Sequence, residues 1–329
     1  DLHSFPTRRS SDLRTSLKQP SEKHTFCPKL WEEFFIVEDG TVFPCCERPM
    51  VVGNIYDNST REIYNSPALQ KMRKQSLTGK LPCYKNCRLL QKKQLQPNYS
   101  KKVKASYGEM KKLRMLFSEK CNLNCRMCHQ NSNCKTVLSM DVMKKNIDLE
   151  PIETIDSQGG ESLFIKEANE FFDYAVKKGK KVSLLTNCML VNDLWAEKIA
   201  LHSDFVHISL NSPYKKTHEL INRGSNWERV LANIQRIRKA KAKHNTNLNI
   251  IGHMTITLQN LNEIPEFIRQ FKNFGFDTAN FGFTRSVQYY LKFNPWKRKS
   301  LSKKIKQAIQ ETETEKDIDA LRLELLKLV

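Results

Sequence analysis

Residues 118–130 read SEKCNLNCRMCHQ, and the spacing of Cys121, Cys125 and Cys128 within them decides how the rest of the chain is read. Three thiolates in eight residues can wrap one compact metal centre, and soft sulfur donors favour zinc or an iron–sulfur cluster. A structural zinc closes its shell with four ligands, whereas this run stops at three. His129 adjoins Cys128 too closely to complete the same shell, and Cys134 is the one nearby thiol that can reach back. Three thiolates on a four-iron cluster leave one iron open, which is what chemistry on a bound molecule needs.

Working outward, the triad follows an apolar strand-like run, LRMLF at 113–117. Five more such runs come after it: IETIDS (152–157), KVSLLTN (181–187), DFVHISLN (204–211), LNIIGHMTI (248–256) and DTANFGF (277–283). Helical patterns separate most of them. In NWERVLANIQRIRKAKA, Val230, Ile234 and Ile237 recur at helical spacing, with Arg236, Arg238 and Lys239 on other faces. Short buried strands alternating with amphipathic helices predict a parallel sheet covered by helices, as a barrel or an open α/β sheet. Ligands in such folds gather at the C-terminal ends of the strands.

The chemistry-bearing residues fall at those ends. Gly159-Gly160-Glu161 follows the second run, Thr186-Asn187 ends the third, Ser209-Leu210-Asn211 ends the fourth, and Arg223 follows it in INRGSNWERV. Each has an ordinary alternative: a tight turn for the glycines, strand-end turn formers for the polar pairs, a surface charge for the arginine. With the triad in front, residues 113–290 resemble the radical S-adenosylmethionine (SAM) superfamily. The resemblance implies a partial (β/α)6 barrel. It also implies a [4Fe–4S] cluster on Cys121, Cys125 and Cys128 whose open iron chelates the amino and carboxylate groups of SAM. One electron then cleaves the sulfonium C–S bond, and the 5′-deoxyadenosyl radical abstracts a substrate hydrogen. Glu161 of the glycine motif meets the methionine amino group, Thr186, Asn187, Ser209 and Asn211 stand near the ribose and carboxylate, and Arg223 contacts the carboxylate. An external electron donor such as a flavodoxin or ferredoxin goes with this chemistry.

Upstream lies a second cysteine block. FFIVEDGTVFPC reads as a hairpin turning at Asp39-Gly40, which returns Cys45 toward Cys27. Asn58, Ser59 or Thr60 caps a following helix, and Cys83 and Cys87 form a last pair. Cys27, Cys45, Cys83 and Cys87 can share one site. The block resembles the twitch, or half-SPASM, domain, a small α+β unit, and implies an auxiliary [4Fe–4S] cluster. Two departures stand: the last pair is Cys-x3-Cys where Cys-x2-Cys is usual, and Cys46 is an alternative ligand. A four-cysteine zinc ribbon, and with it a non-catalytic zinc-binding module, satisfies the same spacing. Cys134 and Cys188 read as buried or free thiols.

The remaining features bound the setting. Residues 1–13, which contain HSFPTRRSSDL, read as a sequencing-adapter artefact and are set aside with a leader at 14–26. The expected domains are 27–97 for the cysteine block, 98–112 for a linker, 113–290 for the barrel and 291–329 for a Lys-rich helical extension. No apolar run approaches the roughly 20 residues that span a bilayer. Clustered thiols in a long chain indicate metal rather than disulfides, and with that a reducing cytoplasm. The net charge of +20 attracts polyanions, but the lysines are spread along helices rather than gathered in one arm. The resemblance to twitch and SPASM proteins implies a peptide or small-molecule substrate, and the charge keeps tRNA or rRNA modification as the alternative.

Overall fold

In the computed structural model, residues 26–47, 50–81, 87 and 100–319 are described. The amino-terminal block comprises α1 (Lys29–Glu32), β1 (Glu33–Ile36), β2 (Thr41–Phe43), β3 (Gly53–Asn54), α2 (Thr60–Ile63) and α3 (Pro67–Leu77). After it run β4 (Lys112–Met115), α4 (Met140–Asn146), β5 (Thr154–Ser157), α5 (Lys166–Lys177), β6 (Lys181–Thr186), α6 (Asp193–His202) and β7 (Phe205–Ser209). The chain continues through α7 (Lys215–Ile221), α8 (Trp227–Lys243), β8 (Asn249–Ile256), α9 (Ile264–Phe274), β9 (Thr278–Phe283), α10 (Arg285–Phe293), α11 (Pro295–Thr312) and β10 (Ile318–Asp319). All six runs expected as strands are strands, with ends that differ from the expected ones by no more than two residues.

These strands form one sheet in the order β10-β9-β8-β7-β6-β5-β4-β1-β2-β3, parallel from β4 to β9. It is the α/β architecture of a partial barrel. Strict alternation drives it: along β8, every second residue from Ile250 to Ile256 is buried, while Asn249, Ile251, His253 and Thr255 point the other way and are half-buried. The helices cover the opposite face. In α9, Ile264, Phe267, Ile268 and Phe271 form the buried stripe, and Gly275 ends the helix at φ +107°, a left-handed conformation suited to glycine.

The amino-terminal block is not set apart from this sheet. β1 pairs in parallel with β4, Phe35 opposite Arg114, and the hairpin adds β2 and β3 at the edge. Arg114 Nε donates to Glu33 at 2.8 Å and its guanidinium also faces Asp156 at 3.4 Å, so charges from β1, β4 and β5 meet on the lumen side. Trp31 is fully buried and donates its indole N–H to the carbonyl of Lys102. The buried Arg73 lies 4.1 Å from the Tyr64 ring centroid and donates to the carbonyls of Leu30 and Val103.

Of the three candidate caps, Ser59 is used. Its hydroxyl accepts from the Glu62 amide at 3.3 Å while Glu62 accepts from the Ser59 amide at 2.7 Å, a complete capping box. Ser59→Ala is expected to cost about 1 kcal/mol, read as a lower midpoint in thermal unfolding. An unshifted midpoint would show that α2 is held by packing alone.

Within the expected 291–329 extension, α11 buries Leu301, Ile305 and Ala308, while β10 pairs with β9 at the sheet edge. The leucine-rich run from Leu321 to Leu328 lies outside the described residues, as does Cys83. No helix among the described residues is long and apolar enough to cross a membrane.

Candidate active site

At the C-terminal rim of the strands a cavity of about 570 Å³ is lined by Cys121, Cys125 and Cys128 together with Gly159, Gly160, Glu161, Thr186, Asn187, Ser209 and Asn211. Ten of the residues expected to serve the site therefore face one space. Its volume falls within the range of pockets that hold small molecules and cofactors. Cys46, Asn222, His253 and Thr255 line it as well.

The triad sits on an irregular loop between β4 and α4, and a non-helical loop needs external partners for its backbone. Cys121 N–H donates to the Ser132 carbonyl, Asn124 N–H to the Arg223 carbonyl and Arg126 N–H to the Ile221 carbonyl, at 2.9–3.1 Å. Leu123, 4% exposed, plugs the loop into the core. Arg223 thus serves the loop through its carbonyl. Its side chain is exposed and is not among the cavity-lining groups.

The glycine turn locks against the same loop. Gly159 and Gly160 have φ of +83° and +56°. A Cβ on Gly160 would drive into the carbonyl oxygen of Lys120 and lie 2.8 Å from that of Ser118, so only glycine lets the two loops touch. Glu161 N–H donates to the Lys120 carbonyl at 2.8 Å, and Gln130 accepts from the Gly160 amide at 2.9 Å. Gln130 was not singled out in the sequence; its place beside His129 gives no local sign of this role.

Glu161 is 1% exposed. Its carboxylate accepts from the Thr186 hydroxyl at 2.7 Å, the Asn187 amide at 2.6 Å and the Leu163 amide at 3.2 Å. No cation pairs with it among the described residues. Burial pushes its pKa up to about 6 against the pull of these three donors. A carboxylate raised from 4.5 to about 6 costs about 2 kcal/mol of fold stability at neutral pH, relieved only as pH falls through that interval. The fold gains nothing from this charge, so its placement suits a cationic ligand.

Asn187 bridges the turn and the triad loop. Its side-chain amide donates to Asn122 Oδ1 at 2.8 Å and lies 3.8 Å from Cys121 Sγ. Asn211 donates to Asn222 Oδ1 at 2.8 Å and accepts from the Thr255 amide at 2.7 Å, which fixes its amide orientation. Across the lumen the His207 and His253 rings stack at 6.0 Å, joined through the Asn280 amide, which touches both.

Burial raises the Cys121 thiol to about 11 and Cys125 to about 12, each with the other triad thiols nearby. Deprotonating them requires a positive charge in their midst, which iron supplies. Three soft thiolates lining one cavity are a donor set that fits an iron–sulfur cluster. The glycine-lined approach and the uncompensated carboxylate fit the amino end of SAM beside it.

The second site is partly in view. Cys27 and Cys45 are buried, and burial raises their thiols to about 11 and about 12. Cys87 and Cys45 are each electrostatic neighbours of Cys27. Cys46 turns instead toward the triad cavity. Cys134 makes only a weak 3.7 Å contact to the Thr136 carbonyl, and Cys188 is fully buried behind Thr186.

Comparison with known proteins agrees with this geometry. Residues 115–271 match the Radical SAM superfamily, and residues 27–89 match an iron-sulfur cluster-binding domain of SPASM type. Over 131 residues the chain is 28% identical to an S-adenosylmethionine-dependent nucleotide dehydratase of Siniperca chuatsi, covering 37% of each. Over 109 residues it is 32% identical to the antilisterial bacteriocin subtilosin biosynthesis protein AlbA of Bacillus subtilis (strain 168), covering 31% of this chain and 24% of that one. Streptococcus suis SuiB bound to precursor peptide SuiA superposes with a TM-score of 0.49 at 16% identity, over 64% of this chain and 49% of that one. The chain spans well under half the length of both curated relatives.

Proposed function

We propose that this chain, whose residues 115–271 match the radical SAM superfamily and 27–89 a SPASM-type iron–sulfur domain, is a radical SAM enzyme that removes a hydrogen atom from a peptide held at the mouth of the cavity. One observation carries the reading: three thiols and a buried carboxylate with no cationic partner among the described residues line the same space. Cys121, Cys125 and Cys128 would hold the catalytic [4Fe–4S] cluster. Cys27, Cys45 and Cys87, with Cys83, would hold the auxiliary one.

When bound, the reduced cluster and SAM supply a 5′-deoxyadenosyl radical that takes the hydrogen. The protein supplies placement. Glu161 would accept a hydrogen bond from the methionine amino group, a charge-assisted bond in a dry site. Thr186 and Asn187 hold that carboxylate still, and Ser209 and Asn211 present a hydroxyl and a fixed amide toward the rest of the cofactor. Leu116, Leu123 and Phe35 line the same cavity and keep water from the reacting atoms. The bacteriocin-biosynthesis relative supports a peptide as substrate. The nucleotide dehydratase relative and the charge of +20 favour a second reading, in which the substrate is an RNA base.

Glu161 gives the cofactor assignment a pH signature. The amino group would donate to the ionised carboxylate, which is present above about pH 6 and disappears below it. Affinity for SAM is expected to weaken by up to about tenfold per unit as pH falls below about 6. Glu161→Gln should flatten that slope and bind weakly throughout; wild-type affinity that ignores pH in this range removes Glu161 from the site.

The substrate reading is tested with the reduced enzyme and deuterated peptides. Deuterium appearing in 5′-deoxyadenosine is the expected result. Transfer from a deuterated RNA, and none from peptide, would replace the reading with the second one.

A further inference from the structure

The cavity rim continues into a surface of unusual composition. β9 ends at Phe283, where the Thr284 amide donates to the carbonyl of Ile256 at the end of β8, the strand that contributes Thr255 to the cavity. α10 starts at that point and α11 follows it past the break at Asn294-Pro295. From Arg285 to Lys306 the two helices carry eight Lys or Arg and no Asp or Glu; the first acid is Glu311. Within that stretch no basic side chain is ion-paired among the described residues. Three large aromatics stand out of the same stretch: Tyr289 at 62%, Phe293 at 70% and Trp296 at 64% exposure.

Val287, Leu291, Leu301 and Ile305 anchor these helices in the core, and the exposed rings lie outside it, with Lys292 standing over the Phe293 ring at 5.9 Å. Cations with no counter-charge repel one another and add nothing to stability. Rings of this size ringed by cations have the composition of a binding surface, where aromatic anchors carry the affinity and surrounding charge selects the partner.

We propose that the α10–α11 face docks an acidic segment of the peptide substrate, with apolar side chains against Tyr289, Phe293 and Trp296 and carboxylates against the flanking lysines. This rests on the peptide reading above. The face begins at the C-terminal end of β9, whose neighbour β8 contributes Thr255 to the cavity. The aromatics favour a peptide with alternating apolar and acidic side chains, since both halves of that pattern find a complement on the face.

The test uses the full chain and needs no cluster. A fluorescein-labelled amphipathic peptide of Glu, Ala and Leu is titrated by anisotropy against wild type, a charge variant (Lys292→Glu with Lys297→Glu and Lys299→Glu) and an aromatic variant (Phe293→Ser with Trp296→Ser). A Lys-for-Glu version of the peptide and labelled oligouridylate serve as comparison probes. The expected result is binding of the acidic peptide that weakens with salt and falls by about tenfold or more in both variants, with thermal midpoints unmoved. Three results overturn the proposal: no binding of the acidic peptide at low salt, equal binding by the variants, or tighter binding of oligouridylate lost in the same variants, which would make the face an RNA surface. Peptide binding without formation of 5′-deoxyadenosine keeps the docking face and removes the catalytic reading. Catalysis without peptide binding does the reverse.

Discussion

Replacing any one of Cys121, Cys125 and Cys128 by Ala is expected to bring SAM cleavage to background while leaving the sheet folded. The three thiols sit on a loop held by backbone bonds to Ser132, Arg223 and Ile221, none of which involves a thiol. The loop should therefore survive loss of a ligand even though the cluster does not. Iron analysis separates the two cysteine sets: about eight irons per chain should fall to about four in a triad variant. Cys45→Ala should show the complement, losing the auxiliary irons and keeping 5′-deoxyadenosine formation in the absence of substrate. A triad variant that retains full iron and cleaves SAM would mean that the catalytic cluster is held elsewhere.

Gly160→Ala is the second large effect. The residue stands at φ +56°, and its Cβ would meet backbone atoms of Ser118, Glu119 and Lys120 rather than a side chain able to swing away. Left-handed strain contributes about 1 to 2 kcal/mol. Displacing the packed backbone adds about 1 to 3 kcal/mol. The displaced segment is the start of the triad loop, so SAM binding should fall along with stability. Gly179→Ala is the matched comparison. It shares a positive φ of +71° but has nothing within 4 Å of the added carbon, so only the strain of about 1 kcal/mol remains. Thermal unfolding of the two variants side by side reads the difference. Equal midpoints would show that the glycine turn and the triad loop are not in contact.

Much of this was legible in the sequence because it is written in local patterns. β8 alternates at every position, α8 repeats its apolar residues at helical spacing, and motifs at strand ends must lie at one rim of a parallel sheet. That is why Glu161, Thr186, Asn187, Ser209 and Asn211 could be placed near the triad before any contact was known. What stayed hidden is non-local. The hairpin at Asp39-Gly40 announces β1 and β2 but says nothing of the pairing of β1 with β4, which lies more than 70 residues onward and is set by Arg114 meeting Glu33 and by the backbone ladder. His253 and Thr255 looked like the polar half of an alternating strand. Only closure of the sheet turns that half into a cavity wall. Cys46 was legible as a thiol but not as one facing the triad, since adjacent residues at the end of a hairpin send their side chains opposite ways. Arg223 shows the converse: its motif is in the expected place, yet the backbone carbonyl rather than the guanidinium does the structural task.

The auxiliary cysteines sharpen how the block and the barrel relate. Because β1 hydrogen-bonds into the catalytic sheet, Cys45 and Cys46 stand at the junction of the two cysteine sets, one facing Cys27 and the other the triad cavity. An auxiliary cluster placed there is rigidly tied to the site it would serve.

The central claim is that Cys121, Cys125 and Cys128 bind an iron–sulfur cluster that works on SAM beside Glu161. Anaerobically purified protein, reduced with dithionite in the presence of SAM and assayed for 5′-deoxyadenosine alongside iron, sulfide and zinc, tests it most directly. The account predicts 5′-deoxyadenosine together with methionine, and iron matched by acid-labile sulfide. Zinc in place of iron, with SAM left intact, would contradict it.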